Sequence, residues 1–302
     1  MAAWQEWPCD AAVVALRRWR PAAAGRTVGA GLLLWLATMA AAAAPGCDYE
    51  SFRDAMAYQR DAEVDALIGT CRRQKQWPER EDGASLLHLA AHVGGRQAVA
   101  YIRALLVAGL KPDTVTRDPH DPVTPLGMAV RFDCAGCVQA LLAAGADARM
   151  RLPDGQTLLH EAGPSTVPLL IAAGLDPAAR DIQGNVPLHR VWHPALLAVG
   201  VDITNDAGLT PLHAAALADQ LARVDALLAA GADPARRTTR DTHWRLGSMS
   251  QGFGPGLPVA RGSTAHDLAR ERYQASRWST QTHEATTKRL EAVTPRRGWF
   301  GR

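Results

Sequence analysis

The sequence has almost no lysine. Lys75, Lys111 and Lys288 are three of 33 basic residues, so arginine carries nearly all the positive charge. Together with the alanine tracts, that bias points to a GC-rich bacterial genome. The net charge of +3 is local: residues 1–43 hold Arg17, Arg18, Arg20 and Arg26 against Glu6 and Asp10, which leaves the remainder nearly neutral. The charge gives no general case for nucleic acid, and no sustained basic–aromatic stripe supplies one. A phosphate-binding glycine loop, a nucleophile elbow and a G-x-G-x-x-G ahead of a helix are missing too, so no nucleotide or hydrolase signature is present.

Long hydrophobic runs are also scarce. The one present, Val28 to Ala44, follows the four arginines and ends in alanines. A basic stretch, an apolar run and small residues describe a secretory signal peptide. Residues 1–43 are read as that signal, with cleavage near Ala43. The run is slightly short for a span of about 20 residues, and the alternative is an uncleaved inner-membrane anchor. Pro295 to Arg302 reads as a frayed basic tail, with residues 294–302 as a flexible terminus.

What fills the space between is a repeated unit. Thr210 to Asp233 reads TPLHAAALADQLARVDALLAAGAD. Thr210 is a natural N-cap and Pro211 sits at the first helical position, where its missing N–H costs nothing. After a break at Asp219-Gln220, Leu221, Val224, Leu227 and Leu228 form one apolar face, and Gly231 closes the helix. The opening recurs at Ser85, Thr124, Thr157, Val186 and weakly Thr264. A glycine lies two residues before five of the six openings: Gly83, Gly155, Gly184, Gly208 and Gly262, with Pro122 in the remaining place. These linked motifs resemble the ankyrin repeat family, whose opening reads T-P-L-H-x-A. The resemblance implies an all-α solenoid of stacked helix-turn-helix units, with β-hairpin-like finger loops, over residues 48–293.

Departures from the period carry this chain's individuality. Openings at 85, 124, 157, 186, 210 and 264 are unevenly spaced, and the units near 157–205 are short. Pro164, Pro168 and Pro194 also bar long helices there. The expectation is a thin waist with a recess, and Trp192 beside it either as core or as a partner contact. Residues 234–262 lengthen one finger. Thr238 to Leu246 reads as strand-forming and Gly247 to Pro258 as loop.

The titratable clusters divide between structure and chemistry. His88, His160, His189 and His213 share the fourth place of the opening, where the resemblance implies that each imidazole bridges its capping residue and the adjacent turn. No third ligand accompanies the i,i+4 pairs His88/His92 and His189/His193, so no metal is expected. No cofactor is expected either. Cys47 starts the first helix of a capping hairpin and Cys71 ends the second, which predicts a Cys47–Cys71 disulfide and an oxidising compartment. Cys134-Ala-Gly-Cys137 opens a helix, where a C-x-x-C thiol can be acidified; a core thiol and a local disulfide are the other readings.

The function expected is a non-catalytic protein–protein interaction scaffold in the bacterial periplasm or envelope. Partner contacts are expected at the fingers, from Arg149, Arg151, Arg180, Arg236, Arg237 and Arg240, with Trp192 and Trp244. Their chemistry suits an acidic protein surface, because arginine pairs carboxylates bidentately. The alternatives are a thiol redox protein using Cys134/Cys137 and a secreted effector or immunity-type binder of a foreign protein.

Overall fold

The computed structural model describes residues 47–119, 121–244, 256–275 and 281–294. The expected signal segment and tail lie outside these residues, apart from Thr294. Helices come in pairs: α1 (Tyr49–Ala57) with α2 (Asp61–Gln74), α3 (Leu86–Val93) with α4 (Gly95–Val107), and α5 (Pro125–Arg131) with α6 (Ala135–Ala143). Two truncated pairs follow. The first is α7 (Leu158–Glu161) with α8 (Val167–Ala172); the second consists of 3-10 turns at Pro187–His189 and Pro194–Val199. Full-length helices resume in α9 (Pro211–Leu217) and α10 (Leu221–Ala229), and the stack ends with α11 (Ala265–Ala275) and α12 (Gln281–Val293). No helix among the described residues is long and apolar enough to cross a membrane.

Each pair forms for a local reason and is held by its neighbours. Thr124 and Thr210 cap α5 and α9, with proline at the start of both helices. First helices touch first helices along the stack, from α1 through α3, α5 and α7 to the 187–189 turn, α9 and α11. The main core is therefore a continuous ribbon of residues such as Phe52, Leu87, Leu126, Leu159, Leu188, Leu212 and Leu290. No unit could bury its apolar face alone, which is why the stack folds as a whole.

The histidines lock the units in register. Each Nδ1 accepts the backbone N–H of its own cap, at 3.0 to 3.2 Å for Ser85, Thr157, Val186 and Thr210. Each Nε2 then bonds the carbonyl before the next opening: Val123, Asn185, Leu209 and Ser263. Since Nδ1 is occupied by a backbone donor, Nε2 must carry the proton. Burial, only partly offset by these bonds, pushes all four below the ordinary histidine value, and His189 and His213 down to about 4. Gly127 stands in the histidine place of the unit that opens at Thr124, and Asp267 in that of the unit that opens at Thr264.

At the waist, the side chains of neighbouring units replace missing helix. The 187–189 turn stops after one turn and leaves carbonyls bare. Arg223 of α10, 6 % exposed, donates from Nη1 to the Arg190 carbonyl at 2.9 Å and from Nη2 to the Leu188 carbonyl at 2.6 Å. At the other truncated pair, the Asp133 carboxylate accepts the amides of Ser165 and Thr166 ahead of α8, each at 3.0 Å at the shortest.

Candidate functional site

Backbone bonds zip four pairs of neighbouring fingers along one edge. Backbone amides of Arg117, Ile182, Asp206 and Thr239 donate to the carbonyls of Asp82, Asp154, Gln183 and Ala207, each on the preceding finger. The glycines two residues before the openings make this possible. Gly83, Gly155, Gly184, Gly208 and Gly262 all have φ between 75° and 80°, a region open to glycine at little cost. At Gly208 a Cβ would also stand 2.8 Å from the Thr239 nitrogen.

Three of the predicted arginines belong to this edge structurally. Arg151 Nη1 donates to the carbonyl of Gly155 in its own finger at 2.7 Å and to that of Arg180 in the next at 3.2 Å. Arg180 repeats the arrangement, reaching Gly184 at 2.6 Å and Thr204 at 3.1 Å. Arg237 Nη1 bonds the Gly262 carbonyl at 2.6 Å. Each guanidinium is thus anchored through one nitrogen while the residue stays exposed. Arg149, Arg236 and Arg240 are exposed as well, Arg236 with a loose contact to Asp233 at 4.0 Å. The finger between, with exposed Thr204 and Asp206, carries no arginine.

Trp244 departs from the reading as a partner contact. It is 5 % exposed and packs in a second apolar cluster with Leu209, Leu217, Val259 and Leu268. The reason is its strand partner: β1 (Thr242–Trp244) pairs antiparallel with β2 (Leu257–Val259) and so turns the indole inward. That also corrects the loop reading of Leu257 and Pro258. The Arg190 guanidinium lies 5.9 Å from the Trp244 ring centroid and 3.7 Å from buried Asp181. Trp192 is half-buried against the core. A shallow recess of about 580 Å³ does flank the waist, but it lies between α6 and α8, lined by Leu142, Ala146, Arg149 and Leu169 and not by Trp192. The reading missed Ile182, 70 % exposed on the Arg180 finger; an isoleucine within a polar turn was the available signal.

Behind the fingers, Arg131 binds Asp121 through Nη1 and Nη2 at 2.8 and 2.6 Å and Glu161 through Nε at 2.7 Å. Burial works against its charge, but the bonds to Asp121 and Glu161 outweigh it and raise its pKa. Cys47 is bonded to Cys71 and Cys134 to Cys137. Among the described residues, no three His, Cys, Asp or Glu side chains gather as a metal site.

A family model for ankyrin repeats, in three copies, matches residues 126–238. The crystal structure of the human ASB11 ankyrin repeat domain aligns with a TM-score of 0.52 and 26% identity, over 79% of this chain and 96% of that one. The stack is an ankyrin repeat fold. The ankyrin repeat domain of Bcl-3, described as a unique member of the IkappaB protein family, aligns with a TM-score of 0.47 and 26% identity over 73% of this chain and 97% of that one. E3 ubiquitin-protein ligase KEG of Arabidopsis thaliana is 31% identical over 152 residues, 45% of this chain and 9% of that protein. This chain therefore spans under a tenth of that relative's length. Ankyrin repeats are generic protein–protein interaction modules, typically without catalysis of their own.

Proposed function

We propose that this chain is a non-catalytic binding scaffold exported to the bacterial periplasm or envelope, where its fingers and concave helix face hold a protein with an acidic surface. The observation that carries the reading is the finger edge, where Arg149, Arg151, Arg180, Arg236, Arg237 and Arg240 are exposed on a chain that is nearly neutral as a whole beyond residue 43. Arg151, Arg180 and Arg237 are held by backbone carbonyls, so a carboxylate meets them with less side-chain entropy left to lose. Ile182 adds an apolar anchor between them. Export is supported by the basic and apolar pattern of residues 1–43 and by two disulfides, which persist in oxidising compartments.

The test is crosslinked capture by the tagged full chain from its own envelope fraction, beside a variant with Arg149→Glu, Arg236→Glu and Arg240→Glu. One dominant partner, recovered with the wild type, released by salt and lost with the variant, supports the proposal. Equal recovery with both chains contradicts the basic edge, and a chain found only in the cytoplasm with Cys47, Cys71, Cys134 and Cys137 all as free thiols contradicts export.

A further inference from the structure

The Cys134–Cys137 pair is left over once the repeat stack and the finger edge are accounted for. Unlike Cys71, which lies at 0 % exposure in the capping hairpin, this pair closes no long loop, since its members are three residues apart. Its stabilising effect through chain entropy is correspondingly small. The two sulfurs are also unequal: Cys137 is fully buried on the apolar side of α6, whereas Cys134 is partly exposed.

The surroundings favour a thiolate at Cys134. It occupies the N-cap of α6, a nine-residue helix, and the Cys137 amide donates to its Sγ at 3.3 Å. A helix N-terminus and an amide aimed at the sulfur stabilise negative charge there. The neighbouring Asp133 carboxylate is turned away into the amides of Ser165 and Thr166. Beside the pair, Phe132 is 48 % exposed, its ring set edge-on to His92 at 4.7 Å, and it offers an apolar landing for a bound segment.

We propose that Cys134 and Cys137 form a second functional site, a dithiol–disulfide exchange centre that oxidises accessible cysteine pairs of a partner polypeptide. A thiolate of the substrate attacks Cys134 Sγ, the Cys134–Cys137 bond breaks, and Cys137 leaves as a thiolate that takes up a proton. The substrate's second thiolate then attacks its own bonded sulfur and releases Cys134 as the stabilised thiolate. Two substrate thiols become one disulfide, and the chain's disulfide becomes a dithiol. Because the reduced form is stabilised at Cys134, this disulfide is more readily reduced, and so the stronger oxidant, than the capping disulfide.

The experiment is an equilibrium titration of the folded full chain in glutathione buffers, with alkylation and mass mapping of each cysteine. The expected result is reduction of Cys134–Cys137 at a reduced-glutathione level at least about 100-fold lower than Cys47–Cys71 requires. A Cys137→Ser variant, with unchanged circular dichroism, is expected to alkylate at Cys134 about tenfold faster than free cysteine at pH 6, as a lowered thiol pKa demands. It is also expected to trap a mixed disulfide with a peptide carrying a disulfide. Co-reduction of the two disulfides, or Cys134 alkylation no faster than free cysteine, overturns the proposal whatever the variant's stability.

Discussion

Nη2 of Arg223 donates to the Leu188 carbonyl at 2.6 Å, so a side chain of one repeat completes a helical turn in the repeat before it. The charge is held at a cost. Burial, with the neighbouring Arg190 charge adding to it, lowers the Arg223 pKa to about 10. A full-length helix at 187–189 would need no such donor.

Arg223→Leu is expected to destabilise the chain by about 2 kcal/mol, because two buried carbonyls lose their donor while the burial of one charge is relieved. Urea denaturation monitored by circular dichroism measures it. A variant as stable as the wild type shows that the Leu188 and Arg190 carbonyls do not depend on this side chain.

Gly163 and Asp133 form a second coupled pair. A Cβ at Gly163 would lie 2.3 Å from the Asp133 carboxyl carbon, so Gly163→Ala drives the carboxylate off the Ser165 and Thr166 amides. Gly163→Ala and Asp133→Ala are each expected to cost about 1–2 kcal/mol through loss of that cap. The double variant should cost clearly less than their sum. Strict additivity in the denaturation midpoints refutes the coupling.

The histidine ladder makes the stack acid-sensitive. His189 and His213 stay neutral in the folded chain down to about 4, whereas in the unfolded chain they protonate near the ordinary value of about 6.5. The unfolded state therefore binds more protons between those values, and stability falls as pH falls through that window. Their contribution is complete above about pH 6.5, and by pH 4 each has withdrawn on the order of 3 kcal/mol. Melting temperatures across this range should drop steeply, and His189→Gln should flatten the slope.

Cys47 and Cys71 close a loop with a sequence separation of 24 residues. Replacing both with serine is expected to cost about 3 kcal/mol and to loosen α1 and α2 first, since that hairpin ends the stack. Hydrogen exchange confined to those helices would report it.

Much of this architecture was legible in the chain because its local signals agree. Thr or Ser caps, Pro at the first helical position and glycine two residues ahead mark the units in overlapping combinations, and the positive φ of those glycines is the physical basis of that part of the mark. The waist was visible in the short spans and prolines, but its repair was not. Arg223 lies within an apolar stripe and gives no sign of the carbonyls it serves, which come from a different unit. Trp244 misled for the same reason: its neighbours Leu257 and Val259 join it only through strand pairing. Among the site residues, the arginines could be placed on fingers from register alone. That Arg151 and Arg180 each grip two fingers could not, because it depends on the spacing between adjacent turns.

The central claim is recognition of an acidic surface by the finger edge, and the most direct test is affinity for the captured partner as a function of salt. Wild type is compared with the Arg149→Glu, Arg236→Glu, Arg240→Glu variant, whose substitutions leave the anchored Arg151, Arg180 and Arg237 in place. The account predicts a wild-type Kd that weakens as salt rises, and a variant that binds at least about tenfold more weakly at low salt with a shallower salt dependence. Equal affinity and equal salt dependence in the two chains would contradict it.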